Sequence, residues 1–554
     1  MFSLSRIFHC LIGVLCLGLV IASPITADAA TTWTATATRG VGPLLANATD
    51  LGPLAPDTPV HLVVALALQD QGGLEQLIQE ENTPRNALYG TAITPSQFTA
   101  TYAPTPAQVQ AVTGYLSTAG MTNVHVEANS LFVTADATAG EANSAFNTTL
   151  EQYSQGGRTV YANTSAAEVP ASLGDAVVAV LGLNNVFQMR FSQLPVCGPM
   201  PAPCVGQFFT PQDFQQAYAA LSTPTGGKTK IAIFAEGNVS GVITDLRYAE
   251  AQNHLPQVPV QVVQVGLPGT DTSGVDEWDL DTQMSTGMAE AVKTLFIYDT
   301  TSLSDADVAL EFNRFAAQDV AQAGSASFGI CEFLAFLDGS MLADDQVFNE
   351  AAAQGQTVFA SSGDTGPSCA VVDTNGAPDS GLPFMNYPAS SPYVVAVGGT
   401  DLFVNSDGSY NRETAWEAGG GGISQFESSP YWQAAAVPSN SLNDKGLPDV
   451  AMDAALETGA LVYIGGQEDI VGGTSLSSPL ALGTWARLQS AHNNKLGFAA
   501  LRLYTLASGL LTPVPGFHDI VVGCNGLYCA TPGWDYTTGL GTFDVGEINS
   551  LLTP

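Results

Sequence analysis

Apolar residues follow two different rhythms along this chain. Between about Thr31 and Arg190, short strand-like runs (VHLVVALAL, NVHVEA, SLFVTAD, RTVYAN) are separated by stretches with helical spacing, PAQVQAVTGYLSTAG and GEANSAFNTTLEQY. Such segregated, nonrepeating alternation predicts a compact α+β domain. Beyond Phe208 the apolar runs are more continuous: KIAIFAEG, VQVVQVG, VKTLFIYD, GSASFG, QTVFASSGD and YVVAVGG. Helical stretches such as VALEFNRFAAQDVAQAG and GSMLADDQVFNEAAAQG lie between them. Uninterrupted apolar strands alternating with helices predict an α/β domain with a doubly wound, mostly parallel sheet. In that architecture ligands bind beyond the carboxyl ends of the strands. The Pro/Cys/Gly-rich stretch LPVCGPMPAPCVG has the punctuation of a linker. The expected division is therefore a first domain over residues 30–190, a linker over 191–207 and a second domain over 208–554.

A length of 554 residues with 45% hydrophobic content agrees with two globular domains. At the N-terminus, Arg6 precedes the apolar run CLIGVLCLGLVIA and the small-residue stretch SPITADAA. The run is short for a bilayer span and reads as a signal peptide over residues 1–29, so the mature protein is expected to be secreted and extracellular. Charge narrows the partners: 51 acidic against 15 basic residues give a formal net charge of −36. Such a surface repels nucleic acid and anionic membranes, so neither is expected as a partner. In acid the carboxylates discharge, and few Lys or Arg remain to build a positive charge, so the composition suits acidic surroundings. Of eight cysteines, six remain beyond the leader. Their spacing suggests Cys197 with Cys204, Cys331 with Cys369 and Cys524 with Cys529, with connectivity left open. No CxxC or His/Cys cluster points to zinc.

The stretch GGTSLSSP, Gly472 to Pro479, has the form of a tight turn entering a helix: Gly for the turn, Ser for the free amides, Pro for the first helical turn. Ser475 would sit where the helix dipole favours negative charge. A nucleophilic serine needs a base. After the linker the histidines are His254, His492 and His518, none in a recognisable catalytic setting. Carboxylates offer another route. In the helical stretch DEWDLDTQMSTGMAEAV, Glu277 and Asp281 stand four apart on one face, and in acid such a pair can share a proton and leave one member as acceptor. Asp364, in FASSGDTGPSC, leaves a strand end, where a protonated carboxyl could donate to a developing oxyanion.

At these residues the sequence resembles the sedolisin family of serine-carboxyl peptidases, acid-acting relatives of the subtilisin fold. GGTSLSSP, EWDLD and SSGDTG match the family's nucleophile, Glu-x-x-x-Asp and oxyanion-aspartate motifs in the family order. SASFGICE, VAVGGTDL, ETAWEAGGGGIS, YWQ and LPDVAMDA are further landmarks, and SQFTATYAPTPAQVQAVTGYL resembles the family's prodomain. The resemblance implies a subtilisin-like catalytic domain preceded by an activation prodomain. It makes Ser475 the nucleophile, Glu277 the general base and later acid, Asp281 its orienting partner and Asp364 the oxyanion donor. Ser327, Phe328 and Gly329, with Gly420, Gly421 and Gly422 opposite, are the implied substrate contacts. The stretch HDIVVGCNGLYCATPGWDYTTGLGTFD resembles the family's calcium loop, implying one structural Ca2+ on Asp519, Ile520, Thr531, Gly533 and Asp535, with Thr531 where the family usually has glycine.

The expected function is thus a secreted, acid-acting endopeptidase made as a self-processing proenzyme. It would take protein or peptide substrates, be inhibited in cis by its own prodomain and act as a monomer. Self-cleavage is expected between about Phe187 and Phe208. Two alternatives stand beside it: a tripeptidyl exopeptidase of the same family, and an inactive exported calcium- or protein-binding protein.

Overall fold

The computed structural model describes residues 32–45, 48–155, 157–191, 194–195, 206–372, 378–437, 443–507 and 512–553. The expected signal peptide and the Cys197/Cys204 pair lie outside these residues. In the N-terminal region a four-stranded antiparallel sheet runs in the order Thr122–Val126, Phe132–Thr138, Pro59–Leu66, Val177–Leu181. Helices Pro95–Thr101, Pro106–Thr118 and Ala139–Ala145 each start at a threonine whose hydroxyl and a Gln or Glu three residues on cap reciprocally. The stretch GEANSAFNTTLEQY is not one helix. It turns at Asn147 (φ 45°), and Leu150–Gln155 is a strand whose first amide donates to the Asn143 side chain at 2.9 Å. Two adjacent threonines, stiff at χ1, favour that exit from helix.

The C-terminal region is built on a ten-stranded sheet. Eight of its strands are mutually parallel, in the spatial order Val260–Gln264, Thr294–Thr300, Lys230–Glu236, Ala323–Ala326, Thr357–Ser361, Val394–Val404, Val450–Asp453, Thr542–Phe543. Only Phe517–His518 and Tyr410–Ala415 join antiparallel. The chain starts at Lys230–Glu236, passes to the edge strand Val260–Gln264, returns inward through Thr294–Thr300, then crosses to the other side at Ala323–Ala326. The switch point thus falls between Lys230–Glu236 and Ala323–Ala326, where a site is expected at their carboxyl ends. Buried apolar residues on Lys230–Glu236, Thr294–Thr300 and the helices Val275–Ala289, Asp305–Gln318 and Thr474–Ala491 form one continuous core.

Two departures from the sequence reading shape the site. GSASFG is not one strand: Ala323–Ala326 belongs to the parallel sheet, while Phe328–Cys331 leaves it to pair antiparallel with Arg190–Phe191 and Asn386–Tyr387. The expected linker also carries strands. Arg190 and Phe191 pair with Gly329 and Phe328, and Leu194 and Pro195 pair with Gly472 and Val471. The N-terminal region is held from its other side as well. Arg39 donates its amide to Leu337 O (2.7 Å) and lies 3.9 Å over the Phe336 ring, Asn129 donates to Glu350 at 2.6 Å, and Arg314 meets Glu127 at 3.6 Å.

Candidate active site

Ser475 is the second residue of the helix Thr474–Ala491. Gly473 precedes it with φ 106°, a conformation that glycine adopts freely, and sends its amide to Ala454 O at 2.6 Å. Pro479 is not in the first helical turn, as the octapeptide suggested, but inside the helix. Lacking an N–H, it leaves the carbonyl of Ser475, four residues earlier, without its helical donor. The Ser327 hydroxyl lies 3.4 Å from that oxygen. Nor does a serine side chain cap the helix. Asp364 Oδ1 accepts from both the amide (2.8 Å) and the hydroxyl (2.7 Å) of Thr474, while Thr474 Oγ1 accepts the Gly363 amide at 3.0 Å.

Glu277 and Asp281 lie in the first half of Val275–Ala289, and both are completely buried rather than on a solvated face. That helix packs directly against the Ser475 helix. Asp281 Oδ1 accepts from the Ser327 hydroxyl at 2.6 Å, and Ser475 Oγ donates to the Ser327 carbonyl at 3.2 Å. Ser327 therefore touches Ser475 through its backbone and Asp281 through its side chain. Sequence reasoning assigned it only a substrate contact. The run of small hydroxyl residues at a strand end opposite the nucleophile was the available signal.

The electrostatics follow from burial. Glu277 is held well above the usual carboxylate range, first by burial and then by Asp281, while the Ser475 hydroxyl facing it pulls the other way. Burial likewise raises Asp281, opposed by the Ser327 hydroxyl. Asp364 is pushed up to about 7 by burial, against the Thr474 amide and hydroxyl. No hydrogen bond of normal geometry reaches either Glu277 oxygen, Asp281 Oδ2 or Asp364 Oδ2. These are buried acids with free oxygens, poised to hold and pass protons. His492 closes the far end of the serine helix, about 25 Å from Ser475 by helical rise, and His518 stacks on Tyr410 at 3.6 Å. Neither accompanies the nucleophile.

The structure thus brings Ser475, Glu277, Asp281, Asp364 and Ser327 together. It gives Gly420–Gly422 a different task from a free edge opposite Gly329. The Gly420 amide donates to Gly363 O at 2.6 Å, the Gly421 amide to Gly366 O at 3.4 Å, and Gly422 pairs with Leu447. A Cβ on Gly420 would fall 2.1 Å from Ser362 O, so these glycines let one chain lie tightly under the Asp364 turn. The Cys331–Cys369 disulfide ties the end of the Phe328–Cys331 strand to the segment after that turn, and Cys524–Cys529 closes a short C-terminal loop.

In that C-terminal loop the Gly533 amide donates to Asp519 Oδ1 (3.0 Å) and the Thr531 amide to Asp535 Oδ2 (2.9 Å), bringing the two carboxylates together. Among the described residues, no backbone hydrogen bond of the loop ends on the carbonyls of Ile520, Thr531 or Gly533. No three His, Cys, Asp or Glu side chains gather for a metal among the described residues. The available donor set is two carboxylates and backbone oxygens, which is hard-cation chemistry.

Comparison with known proteins matches this geometry. Residues 46–186 match the family described as Pro-kumamolisin, activation domain, and residues 268–511 match the Subtilase family. Sedolisin of Pseudomonas sp. (strain 101) is 40% identical over 95% of this chain and 93% of its own length. Xanthomonalisin of Xanthomonas sp. (strain T-22) is 36% identical over 90% of this chain and 66% of its own. Tripeptidyl-peptidase 1 of Rattus norvegicus is 27% identical over 91% and 93%. The solved structure of Pseudomonas sedolisin, complexed with two molecules of pseudo-iodotyrostatin, superposes with a TM-score of 0.58 at 39% identity, covering 63% of this chain and 98% of that one. With its activation domain, subtilisin-like sheet and serine among buried carboxyls, the chain belongs to the sedolisin family of serine-carboxyl peptidases.

Proposed function

We propose that this chain is an exported proenzyme that cuts internal peptide bonds in acid. The observation that carries the reading is the Ser475–Ser327–Asp281 contact beside two carboxyls, Glu277 and Asp364, that keep buried oxygens without a hydrogen-bond partner among the described residues. Ser475 Oγ attacks the peptide carbonyl carbon while its proton passes to Glu277; the Glu277–Asp281 pair holds one proton between its two carboxyls, so one of them remains an acceptor in acid. Protonated Asp364 donates through Oδ2 to the developing oxyanion, its Oδ1 being fixed by Thr474. Collapse breaks the C–N bond, with Glu277–H protonating the leaving amine. Water then adds to the acyl carbon, its proton going to Glu277; collapse breaks the ester C–O bond, Glu277 returns the proton to Ser475 Oγ, and the carboxylic acid product leaves. Because Asp364, pushed up to about 7, must carry a proton, activity falls as pH rises through that value and lies on the acid side of neutrality.

The segment linking the two regions supports both self-processing and endopeptidase action. It lies as an added antiparallel strand on Phe328–Gly329 and again on Val471–Gly472, on either side of Ser475. Upstream it continues without interruption, with the Met189 amide donating to Leu303 O at 2.9 Å, so this end of the cleft admits a chain longer than three residues. In the precursor the same strand blocks the cleft. Asp519 and Asp535, with the carbonyls of Ile520, Thr531 and Gly533, would hold one Ca2+ that fixes the C-terminal loop without entering the reaction. Export rests on the leader-like N-terminus; among the described residues no helix is long and apolar enough to cross a membrane.

The test is hydrolysis of a denatured protein from pH 2 to 8 by acid-treated precursor, Ser475→Ala and Glu277→Gln, with products analysed by mass. Internal fragments, confined to acid and lost in both variants, are expected. Tripeptides released in sequence from N-termini would replace the endopeptidase reading, and no cleavage at any pH would leave a binding protein.

A further inference from the structure

The glycine strip against the Asp364 turn is gripped from two directions. From the turn side, the Gly363 and Gly366 carbonyls take the amides of Gly420 and Gly421, and the Ser362 hydroxyl donates to Gly420 O at 2.7 Å. From the other side comes Asn525. Its Nδ2 donates to Gly421 O at 3.1 Å and to Gly419 O at 3.3 Å. The carbonyls of three successive glycines are thus taken alternately by Asn525, Ser362 and Asn525.

Asn525 lies in the loop closed by Cys524–Cys529 and is 2% exposed. Its Oδ1 accepts the Tyr528 amide at 3.0 Å, and its own amide donates to Tyr528 O at 2.9 Å, which ties the local turn. That task needs only an acceptor, which aspartate would also supply. The Nδ2 donors do something else: they reach glycines 104 and 106 residues earlier in the chain. The loop also touches the Asp364 turn directly. Gly366 has φ 64°, and a Cβ there would stand 2.5 Å from Asn525 O. Gly363 and Gly366, whose carbonyls hold the glycine strip, bracket Asp364 in sequence.

We propose that Asn525 is a positioning residue for the oxyanion donor: by holding Gly419 and Gly421, it fixes the turn from which Asp364 presents its free oxygen. The proposal rests on the peptidase reading and deepens it, because it makes the C-terminal loop a support of the chemical step. An oxyanion bond is made only in the transition state, so a displaced donor lowers kcat and leaves KM nearly unchanged.

The test compares wild type, Asn525→Ala and Asn525→Asp on a fluorogenic peptide chosen from the fragments that wild type makes of a denatured protein. Each precursor is matured by wild-type enzyme immobilised on beads, so processing does not depend on the variant. Rates are taken per folded molecule, counted by calorimetry. Asn525→Ala should lower kcat about tenfold, less than the roughly 10²–10³-fold for loss of an oxyanion donor itself. Asn525→Asp keeps the turn acceptor. Protonated, it donates to one glycine carbonyl; ionised, it donates to none. Its kcat relative to wild type should therefore rise several-fold from pH 6 to pH 3, while the ratio for Asn525→Ala stays flat. Asp364, Glu417, Asp519, Tyr528, Asp535 and Tyr536 in the surrounding segments are common to all three proteins, so the ratio isolates the new carboxyl. In an Asp364→Asn background, Asn525→Ala should cost less than about threefold, because the group it positions is already disabled. If Asn525→Ala melts below the assay temperature, Asn525→Asp carries the test. Wild-type kcat in the variants, a loss confined to KM or melting temperature, a pH-independent ratio for Asn525→Asp, or the full loss in the Asp364→Asn background would each overturn the positioning role and leave the peptidase reading intact. If wild type cuts nothing, that reading itself fails.

Discussion

Asp364 and Asp535 are both aspartates in tight turns of the same domain, and the structure treats their carboxyls in opposite ways. At Asp364 one oxygen takes two bonds from Thr474, and the other is buried with none. At Asp535 both oxygens are filled: Oδ2 by the Thr531 amide, Oδ1 by the amides of Thr537 and Thr538 and the Thr537 hydroxyl. Backbone amides donate to an anion and stabilise it; a dry, unfilled oxygen favours the proton. Burial raises both carboxyls, and the comparison teaches that turn geometry decides how many donors oppose it: two bonds on one oxygen at Asp364, donors on both oxygens at Asp535.

The sharpest way to break the comparison is to remove the proton carriers. Ser475→Ala and Glu277→Gln should each abolish peptide hydrolysis and self-processing, a loss of about 10⁴-fold or more in kcat. Size of precursor on a gel and single-turnover rates check this. Asp364→Asn retains an oxygen for Thr474 but cannot share an acidic proton, so kcat should fall about 10²–10³-fold with a smaller change in KM. A weaker effect belongs to Ser327→Ala, which strips Asp281 of its 2.6 Å donor. We expect about a tenfold fall in kcat and an upward shift of the acidic limb of the pH profile, restored by Ser327→Thr. At the C-terminal loop, chelation of wild type or Asp535→Asn should lower the melting temperature by about 2–4 °C for each kcal/mol lost, read by calorimetry at constant pH.

Buried proton carriers are not confined to the site, which gives a further, graded prediction. Burial raises Glu236, Asp299 and Glu413 to about 7 and Glu350 to about 8. Above about pH 4 the unfolded chain releases protons that these folded groups retain, so the folded state loses roughly 1.4 kcal/mol per group per pH unit. Their contribution is complete below about pH 4 and disappears as pH rises through 7–8. The melting temperature should therefore be highest in acid and decline steadily to pH 8; a maximum near neutrality would contradict this account.

Much of this was legible in sequence because apolar rhythm and motif spacing are local properties. The parallel strands and the carboxylate pair four residues apart in one helix needed no tertiary information. What was not legible depended on partners distant in the chain. The Leu150–Gln155 strand was hidden because its segment carries apolar residues at spacings that also suit a helix. Ser327 showed its hydroxyl role only once Asp281, 46 residues away, stood beside it. The place of Pro479 was misread because its missing amide matters only to a carbonyl that Ser327 approaches. Gly420–Gly422 reads as a substrate edge in sequence, whereas in the structure the Asp364 turn takes the Gly420 and Gly421 amides and Gly422 pairs with Leu447.

Under the proposed self-processing, the strands at Arg190–Phe191 and Leu194–Pro195 give the precursor a kinetic property. A substrate tethered across its own nucleophile reacts in a first-order step, with an effective concentration on the order of millimolar for a short tether. Dilution should not slow maturation, and added peptide should compete with it only at comparable concentrations. One molecule released alone into a large volume of acid would mature as fast as one in a crowd, so the timing of activation belongs to the medium it enters and not to the number of its neighbours.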